Sequence, residues 1–392
     1  MNTNEKKEFK KLVDWILKGD WKDMDSFNPF LKEDFITKKA EEYAELLNTV
    51  ETYDQLKESG FSWEGPGDDL TKLPSSKTET YRYMVPQLYS GDVENAVLTL
   101  CLLNPGVSSK DQEKSAIEEF EMFKKEGKIN AEVIKKFSFN KKNMVYRELF
   151  KDKYYYGKEI SGNKDLNECY YTKKYFAPLF VPDKDEDFWK TAKEIISSYD
   201  SKDLEIKTDE LKIANLDLTP YRSKNYSASK LLVESQASTR FVIALIIKKI
   251  LEHQLVNEGS ETQPWFVIRS FENGMKGNWE KSIEAFLALE VDNEVTVQSV
   301  ILRELGIKKS DETTDSKDLM DLIKQYILPF SSQSASVSKN NLTSYNANKA
   351  KFEKIYTLDK SLTDDQKEQN EKVKGTYPTL CTKANFFEKS KN

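Results

Sequence analysis

Short apolar runs that alternate with helix-length segments constrain the fold of this chain more than any other feature. Three segments have the composition of buried strands: VLTLCLL at 97–103, ELKIANLDLTPYRS at 210–223 and PWFVIRS at 264–270. The segments between them have helical periodicity, most clearly over residues 236–257. Strands separated by helices form parallel sheets that are covered on both faces. The sequence therefore predicts a three-layer α/β fold with a central, mainly parallel sheet flanked by helices.

The remaining patterns predict the organisation of the chain around this sheet. Helical periodicity at the start predicts a helical N-terminal extension over 1–62, and the Gly/Pro/Ser-rich segment 63–80 predicts a loop or linker. The α/β domain is expected to span 83–346, with a helix over 316–327 and a last strand and polar loop over 330–344. A charged, helical tail is expected over 347–392.

Composition limits the compartment and the chemistry that the chain can use. No apolar run reaches the length of a membrane span, and the N-terminal residues MNTNEKKEFKK lead into no apolar signal segment. The three cysteines, Cys101, Cys169 and Cys381, are too few and too far apart for a disulfide framework or a four-cysteine zinc site. We therefore expect a cytoplasmic protein that is not in the membrane and has neither metal nor cofactor; its oligomeric state stays open.

The single histidine restricts the possible mechanisms further. His253 lies in FVIALIIKKILEHQLV, whose apolar spacing predicts a buried helix. In that setting we expect a hydrogen-bonded helix histidine and not a catalytic one. Mechanisms that need a histidine base, including the Ser-His-Asp triad, are therefore disfavoured.

A basic, tyrosine-rich segment interrupts an otherwise acidic protein. The formal net charge is −6, yet residues 123–176 contain fourteen Lys or Arg against seven Asp or Glu. Such a segment fits a surface that faces phosphates, and it equally fits a solvated helical face. We interpret it as a large basic insert in the α/β domain.

Polar residues follow the predicted strands at the edge where ligands bind in open α/β sheets. The strands run into NPGVSS, TPYRSKNY and RSFENG. Ligands of such sheets bind outside the carboxyl ends of the strands, so the side chains that follow could converge on one site. Because turns also favour Pro, Gly, Asn and Ser, the pattern alone leaves a structural role open.

The first of these segments carries a family resemblance. LLNPGVSS resembles the first motif of the uracil-DNA glycosylase superfamily, in particular the Asn-Pro-Gly motif of its mismatch-specific branch, and LDLTPYRSK is similar to the second motif of divergent members. The segments SQASTRFVIALI, PWFVIRS and SASVSKNNLTS follow in the family's order, so the resemblance covers roughly 83–346. The His-Pro-Ser motif of the classical uracil enzymes has no counterpart here, which implies a base other than plain uracil.

The resemblance and the chemistry of base excision together assign candidate residues. Asn104 is the candidate catalytic residue, which would orient water or the leaving base at a flipped nucleotide. Pro105 and Gly106 would shape its turn, and Asn215 and Asp217 on the second strand could read the base edge, where a carboxylate suits an exocyclic amine. The candidates for contact with DNA are Ser108, Tyr221, Arg222, Ser223, Lys224 and, in a loop that fills the vacated stack, Asn340, Asn341 and Leu342.

The implied activity is that of a monofunctional DNA glycosylase with DNA as its partner. A modified base fits the large insert, and one divergent relative of this kind removes glucosylated hydroxymethylcytosine from phage DNA. Three alternatives stay open: a uracil or mismatch repair glycosylase, a nucleic-acid-binding module without catalysis, and an unrelated α/β enzyme whose turns mimic the motifs.

Overall fold

The protein is described from a computed structural model. The residues that the structure describes are 1, 3–72, 82–86, 88–91, 93–96, 98–103, 117, 120–121, 123–125, 129–138, 213–222, 230–256, 263–269, 271–273, 275–276, 278–292, 294–306 and 315–330. The C-terminal tail 347–392 and the greater part of the basic insert lie outside them.

Ten α-helices and nine strands can be bounded within these residues. The helices are α1 (Thr3–Lys18), α2 (Met24–Phe27), α3 (Glu33–Thr49), α4 (Tyr53–Glu58), α5 (Ala131–Ser138), α6 (Lys230–Ser235), α7 (Ala237–Val256), α8 (Asn278–Leu287), α9 (Val297–Glu304) and α10 (Asp315–Lys324). The strands are β1 (Tyr89–Gly91), β2 (Leu98–Leu102), β3 (Ile213–Asp217), β4 (Trp265–Arg269), β5 (Glu272–Asn273), β6 (Met275–Lys276), β7 (Glu290–Asp292), β8 (Val295–Thr296) and β9 (Ile327–Phe330). Short 3₁₀ turns cover Trp21–Asp23, Pro29–Leu31 and Leu70–Lys72.

The central sheet has five strands in the order β1-β3-β2-β4-β9. The last four are parallel to one another, and β1 pairs with β3 in the antiparallel direction. The expected α/β class with a mainly parallel sheet is therefore confirmed. Two small antiparallel hairpins, β5–β6 and β7–β8, lie outside this sheet, and the sequence analysis did not predict them.

Helices α1 and α7 pack against each other and share one apolar core with residues of the central sheet. Helix α7 is apolar on all sides, as expected for a helix surrounded by protein, and its residues from Phe241 to Ile246 are fully buried. Helix α1 is amphipathic and buries Trp15 and Ile16 in the same core. Burial of each such side chain stabilises the folded state by roughly 1.5–3 kcal/mol. Because its buried side chains belong to this core, the predicted N-terminal helix is a part of the main core.

A second apolar cluster is formed by residues that precede β2 in the sequence and residues that follow it. Its members come from α3, α4, the segment 83–85, residues 120–134 and Trp63, which is fully buried. Aromatic side chains dominate it: the rings of Tyr43 and Trp63 are 5.2 Å apart, and those of Tyr53 and Tyr83 are 6.0 Å apart. This cluster holds the start of the predicted basic insert against the N-terminal helices.

The end of the sheet corrects one prediction. The expected helix over 316–327 ends at Lys324, and Ile327–Phe330 form strand β9, which begins three residues before the last strand and polar loop expected over 330–344. Pro329 lies within β9, and because a proline cannot donate to a ladder it is tolerated only at a sheet edge. Among the described residues β9 pairs only with β4 and forms such an edge. The rest of the predicted strand and loop, residues 331–344, lies outside the described residues.

Candidate functional site at the carboxyl ends of the strands

The connectivity of the sheet reverses its strand order at β2. The chain passes from β2 to β3 on one side, and later returns to β4 on the other side of β2. In open α/β sheets ligands bind at such a reversal of strand order, outside the carboxyl ends of the strands. Strand β2 ends at Leu102, Leu103 is the last described residue after it, and the next residue in the chain is Asn104.

Asn215 and Asp217 lie side by side on β3 at the same edge. The parallel register places Leu100 opposite Asn215 and Leu102 opposite Asp217. Both polar side chains are fully buried, and Asn215 Nδ2 donates to Asp217 Oδ2 over 3.2 Å. Asn215 Oδ1 has no hydrogen-bond partner among the described residues. A carboxylate at the carboxyl end of β3, and an amide two residues before it, therefore lie buried beside β2.

The charge of Asp217 acts on the neighbouring cysteine. Cys101 is fully buried on β2, in the register position opposite Leu216. Burial, and after it the negative charge of Asp217, raises the pKa of the Cys101 thiol well above its ordinary value. Cys101 therefore stays protonated and is not a candidate nucleophile.

The segment that leaves β3 is tied to the end of β2. The N–H of Leu218 donates to the carbonyl of Leu102 at 2.9 Å, and the N–H of Thr219 donates to the carbonyl of Leu103 at 3.0 Å. The hydroxyl of Thr239, in the first turn of α7, donates to the carbonyl of Leu218 at 2.9 Å. The segment 218–222, which we call the exit segment, thus has a fixed start beside the candidate site.

Tyr221 has protein partners for its hydroxyl. The side chain is 2% exposed, and its ring packs edge-on against Phe30 with the centroids 6.0 Å apart. The hydroxyl donates to Asp68 Oδ2 at 2.6 Å and accepts from the N–H of Gly65 at 2.9 Å. Tyr221 therefore has a role inside the fold, and its contact with DNA stays a prediction, as does that of the half-buried Arg222.

Nine of the predicted site residues lie outside the described residues, so the structure gives no position for them. The structure brings Asn215, Asp217 and the exit segment to the carboxyl end of β2, which is the part of the predicted site that it describes. The residues without a described position are Asn104, Pro105, Gly106, Ser108, Ser223, Lys224, Asn340, Asn341 and Leu342.

Two features away from this edge bear on the chemistry. His253 Nδ1 is 2.8 Å from the hydroxyl of Tyr326, which directly precedes β9, so this histidine is hydrogen-bonded at the amino end of the sheet as a helix residue. Fifteen residues of helix separate it from Ser238, which amounts to about 22 Å.

Within the described residues, no three His, Cys, Asp or Glu side chains cluster as they would around a metal ion, and no helix is both long and apolar enough to cross a bilayer.

Comparison of the chain with models of protein families, with curated proteins and with solved structures found no match. The resemblance of the Asn-Pro-Gly and Pro-Tyr-Arg-Ser segments to the uracil-DNA glycosylase superfamily therefore depends on the residues themselves.

Proposed function

We propose that the chain is a monofunctional DNA glycosylase with a three-layer fold like that of the uracil-DNA glycosylase superfamily. It flips a nucleotide out of DNA and hydrolyses its N-glycosidic bond, which leaves an abasic site. One observation carries the proposal: the strand that leads into Asn-Pro-Gly ends at the reversal of strand order, next to the buried Asn215–Asp217 pair. The motif that resembles a base-excision motif thus follows the strand end where a ligand is expected.

The chemistry of base excision agrees with the side chains of this chain. As the base leaves, positive charge develops on the sugar, and the DNA phosphates can stabilise it without a protein nucleophile. Asn104 orients the water or hydrogen-bonds the leaving base, and an amide does this without titrating. This mechanism needs no histidine, in agreement with the hydrogen bond that engages His253 at the opposite end of the sheet.

The pair on β3 favours a base with an exocyclic amine. A carboxylate accepts hydrogen bonds from the N4 amino group of a cytosine-type base, which uracil lacks. Asp217 is ionisable and buried beside the acceptor Asn215 Oδ1, so the pair offers acceptors to such an amine. We propose a modified cytosine as the substrate, with glucosylated hydroxymethylcytosine of phage DNA as the specific candidate and defence against phage in the cytoplasm as the role.

An abasic-site assay on a set of DNA substrates tests the proposal. Duplexes with normal bases, with uracil or with glucosylated hydroxymethylcytosine are incubated with the protein, treated with alkali and examined for strand breaks. We expect breaks at the modified cytosine, and loss of these breaks in Asn104→Ala. Asn95→Ala is the matched control, because Asn95 is exposed before the amino end of β2, and it should cleave like the wild type.

Two outcomes of this assay contradict the proposal. No abasic sites in any of the three duplexes would refute the activity, and binding of DNA without cleavage would favour a nucleic-acid-binding module instead. Equal cleavage by Asn104→Ala and the wild type would refute the assigned mechanism.

A further inference from the structure

Asp68 connects the exit segment to α7, a helix that has no part in the proposed reaction. Its Oδ2 accepts the hydroxyl proton of Tyr221 at 2.6 Å. Its Oδ1 accepts from the N–H of Ser238, in the first turn of α7, at 2.9 Å. One partly buried carboxylate thereby joins the loop that precedes Leu70, the exit segment and the N-terminus of α7.

The backbone around Asp68 is held against the end of α6 and the start of α7. The N–H of Ala237 donates to the carbonyl of Gly67 at 3.0 Å, and the N–H of Asp69 donates to the carbonyl of Ser235 at 2.9 Å. Gln236 Nε2 donates to the carbonyl of Asp69 at 2.7 Å. Because α7 is buried over most of its length, this attachment is a firm support for whatever Asp68 holds.

We propose that Asp68 is a positioning residue of the candidate site, which acts through Tyr221 and fixes the exit segment against the carboxyl end of β2. The inference rests on the proposed function, because that function places DNA contacts at Arg222 and the two residues after it. An asparagine would cap α7 as well as an aspartate does, so capping alone does not require a carboxylate. The hydrogen bond from the Tyr221 hydroxyl is short, and an ionised carboxylate strengthens a bond of this kind.

The charges around the carboxylate make this support sensitive to pH. Arg240 on α7 favours the ionised form of Asp68, whereas Glu64 faces Tyr221 in the same network and Glu5 on α1 faces Arg240. Burial outweighs the hydrogen bonds and raises the pKa of Asp68 from 3.8 to about 6. The hydroxyl of Tyr221, whose pKa burial also raises, stays a donor throughout. Protonation of Asp68 near pH 6 would place a proton on one of its two oxygens and would therefore weaken the bond that this oxygen accepts, from Tyr221 at Oδ2 or from Ser238 at Oδ1.

Stability and activity should respond to this protonation in opposite directions. The pKa of Asp68 is higher in the folded than in the unfolded chain, so its protonation favours the folded state as the pH falls from about 6 to 4. The exit segment, by contrast, loses its ionised anchor over the same range, so activity should fall. A purely structural role would make activity follow stability.

Hydrogen exchange of the exit segment tests the inference without any substrate. In Asp68→Asn we expect the amides of Leu218, Thr219, Tyr221 and Arg222 to exchange about tenfold faster or more at neutral pH, as the loss of a charge-assisted anchor predicts. Asp69→Asn is the matched control, because that side chain is 40% exposed and bonds locally to Thr71, and it should leave the rates unchanged. Unchanged exchange in Asp68→Asn, an equal rise in Asp69→Asn, or a rise spread through the interior of α7 would overturn the inference.

Kinetics with a cleavable DNA then separate positioning from stability. We expect an acid limb near pH 6 in the kcat/KM profile of the wild type, and we expect Asp68→Asn to lower kcat/KM about tenfold and to lose this limb. Tyr221→Phe should cost a similar factor, and the double variant should cost no more than either single variant, because the two residues act as one unit. Wild-type kcat/KM and an unaltered acid limb in Asp68→Asn would overturn the positioning role. A wild type that cleaves no DNA would refute the proposed function, whereas the exchange experiment would still decide whether Asp68 holds the segment.

Discussion

Replacement of Lys248 by methionine should weaken the attachment of the end of the N-terminal helix α1 to α7, at a substantial cost in stability. Lys248 is 1% exposed on α7. Its ammonium donates to the carbonyl of Gly19 at 2.7 Å and pairs with Glu252 at 2.8 Å. The same ammonium lies 5.1 Å from the ring centroid of Trp15 and 5.4 Å from that of Trp21. One buried charge therefore holds the end of α1, and the turn after it, against α7.

The contacts of Lys248 set the size of the expected effect. A hydrogen bond from a charged donor contributes about 1.5–3 kcal/mol, and cation–π contacts of this kind add about 0.5–2 kcal/mol. Glu252 keeps the bond from the indole N–H of Trp21, so the variant leaves no isolated carboxylate. Methionine also buries well, which offsets part of the loss. We expect Lys248→Met to lower the free energy of unfolding by about 2–3 kcal/mol.

Urea unfolding followed by tryptophan fluorescence measures this cost, because Trp15 and Trp21 lie at the contact. Lys281→Met is the matched control: Lys281 is exposed on the neighbouring helix α8, and we expect a change within about 0.5 kcal/mol. If Lys248→Met costs no more than Lys281→Met, the reasoning that α1 is anchored to the core through this lysine is wrong.

The other predictions concern the candidate site and its surroundings. The pKa of Asp68 is raised to about 6, so the free energy of unfolding of the wild type should increase relative to that of Asp68→Asn as the pH falls from 7 to 4. The full shift corresponds to about 3 kcal/mol, and partial exposure of the side chain reduces the expected increase to roughly 1–2 kcal/mol. Denaturant titrations that give the same difference at the two pH values would contradict this. In a Cys169→Ser, Cys381→Ser background, the Cys101 thiol should react with a disulfide reagent only after unfolding, and fast reaction of the native protein would contradict its burial. Asp217→Asn should lower kcat/KM for an amine-bearing base at least tenfold, and an undiminished value would remove Asp217 from base recognition. His253→Gln should keep the kcat of the wild type, and a large loss would return the histidine to the mechanism.

The sequence predicted the elements whose signals are local. Strands β2, β3 and β4 are bounded apolar runs, and α7 follows the expected helix at 236–257 within a residue. The alternation along β3 also placed Asn215 and Asp217 on one face. A period of two or of 3.6 residues is enough for such assignments, because the buried face repeats along the element itself.

The remaining features depend on partners that are distant in the sequence. Helix α1 was predicted with its apolar face, but the contacts at its end come from Lys248, more than two hundred residues away. The segment containing Asp68 has the composition of a linker, and nothing local indicates that its carboxylate meets Tyr221, 153 residues later. Strand β9 begins inside the segment predicted as helix, because Tyr326 and Ile327 continue the helical spacing of the apolar residues before them. No local pattern in the sequence predicts these three features of the structure.

The most direct test of the central claim is to detect the free base that leaves the DNA. The protein is incubated in excess over a duplex with one glucosylated hydroxymethylcytosine, and the released base is quantified by mass spectrometry beside the abasic sites. The account predicts one free base for each abasic site, no covalent protein–DNA adduct on treatment with borohydride, and no release by Asn104→Ala although that variant still binds the duplex. Absence of free base from wild-type reactions, or equal release by Asn104→Ala, would contradict it.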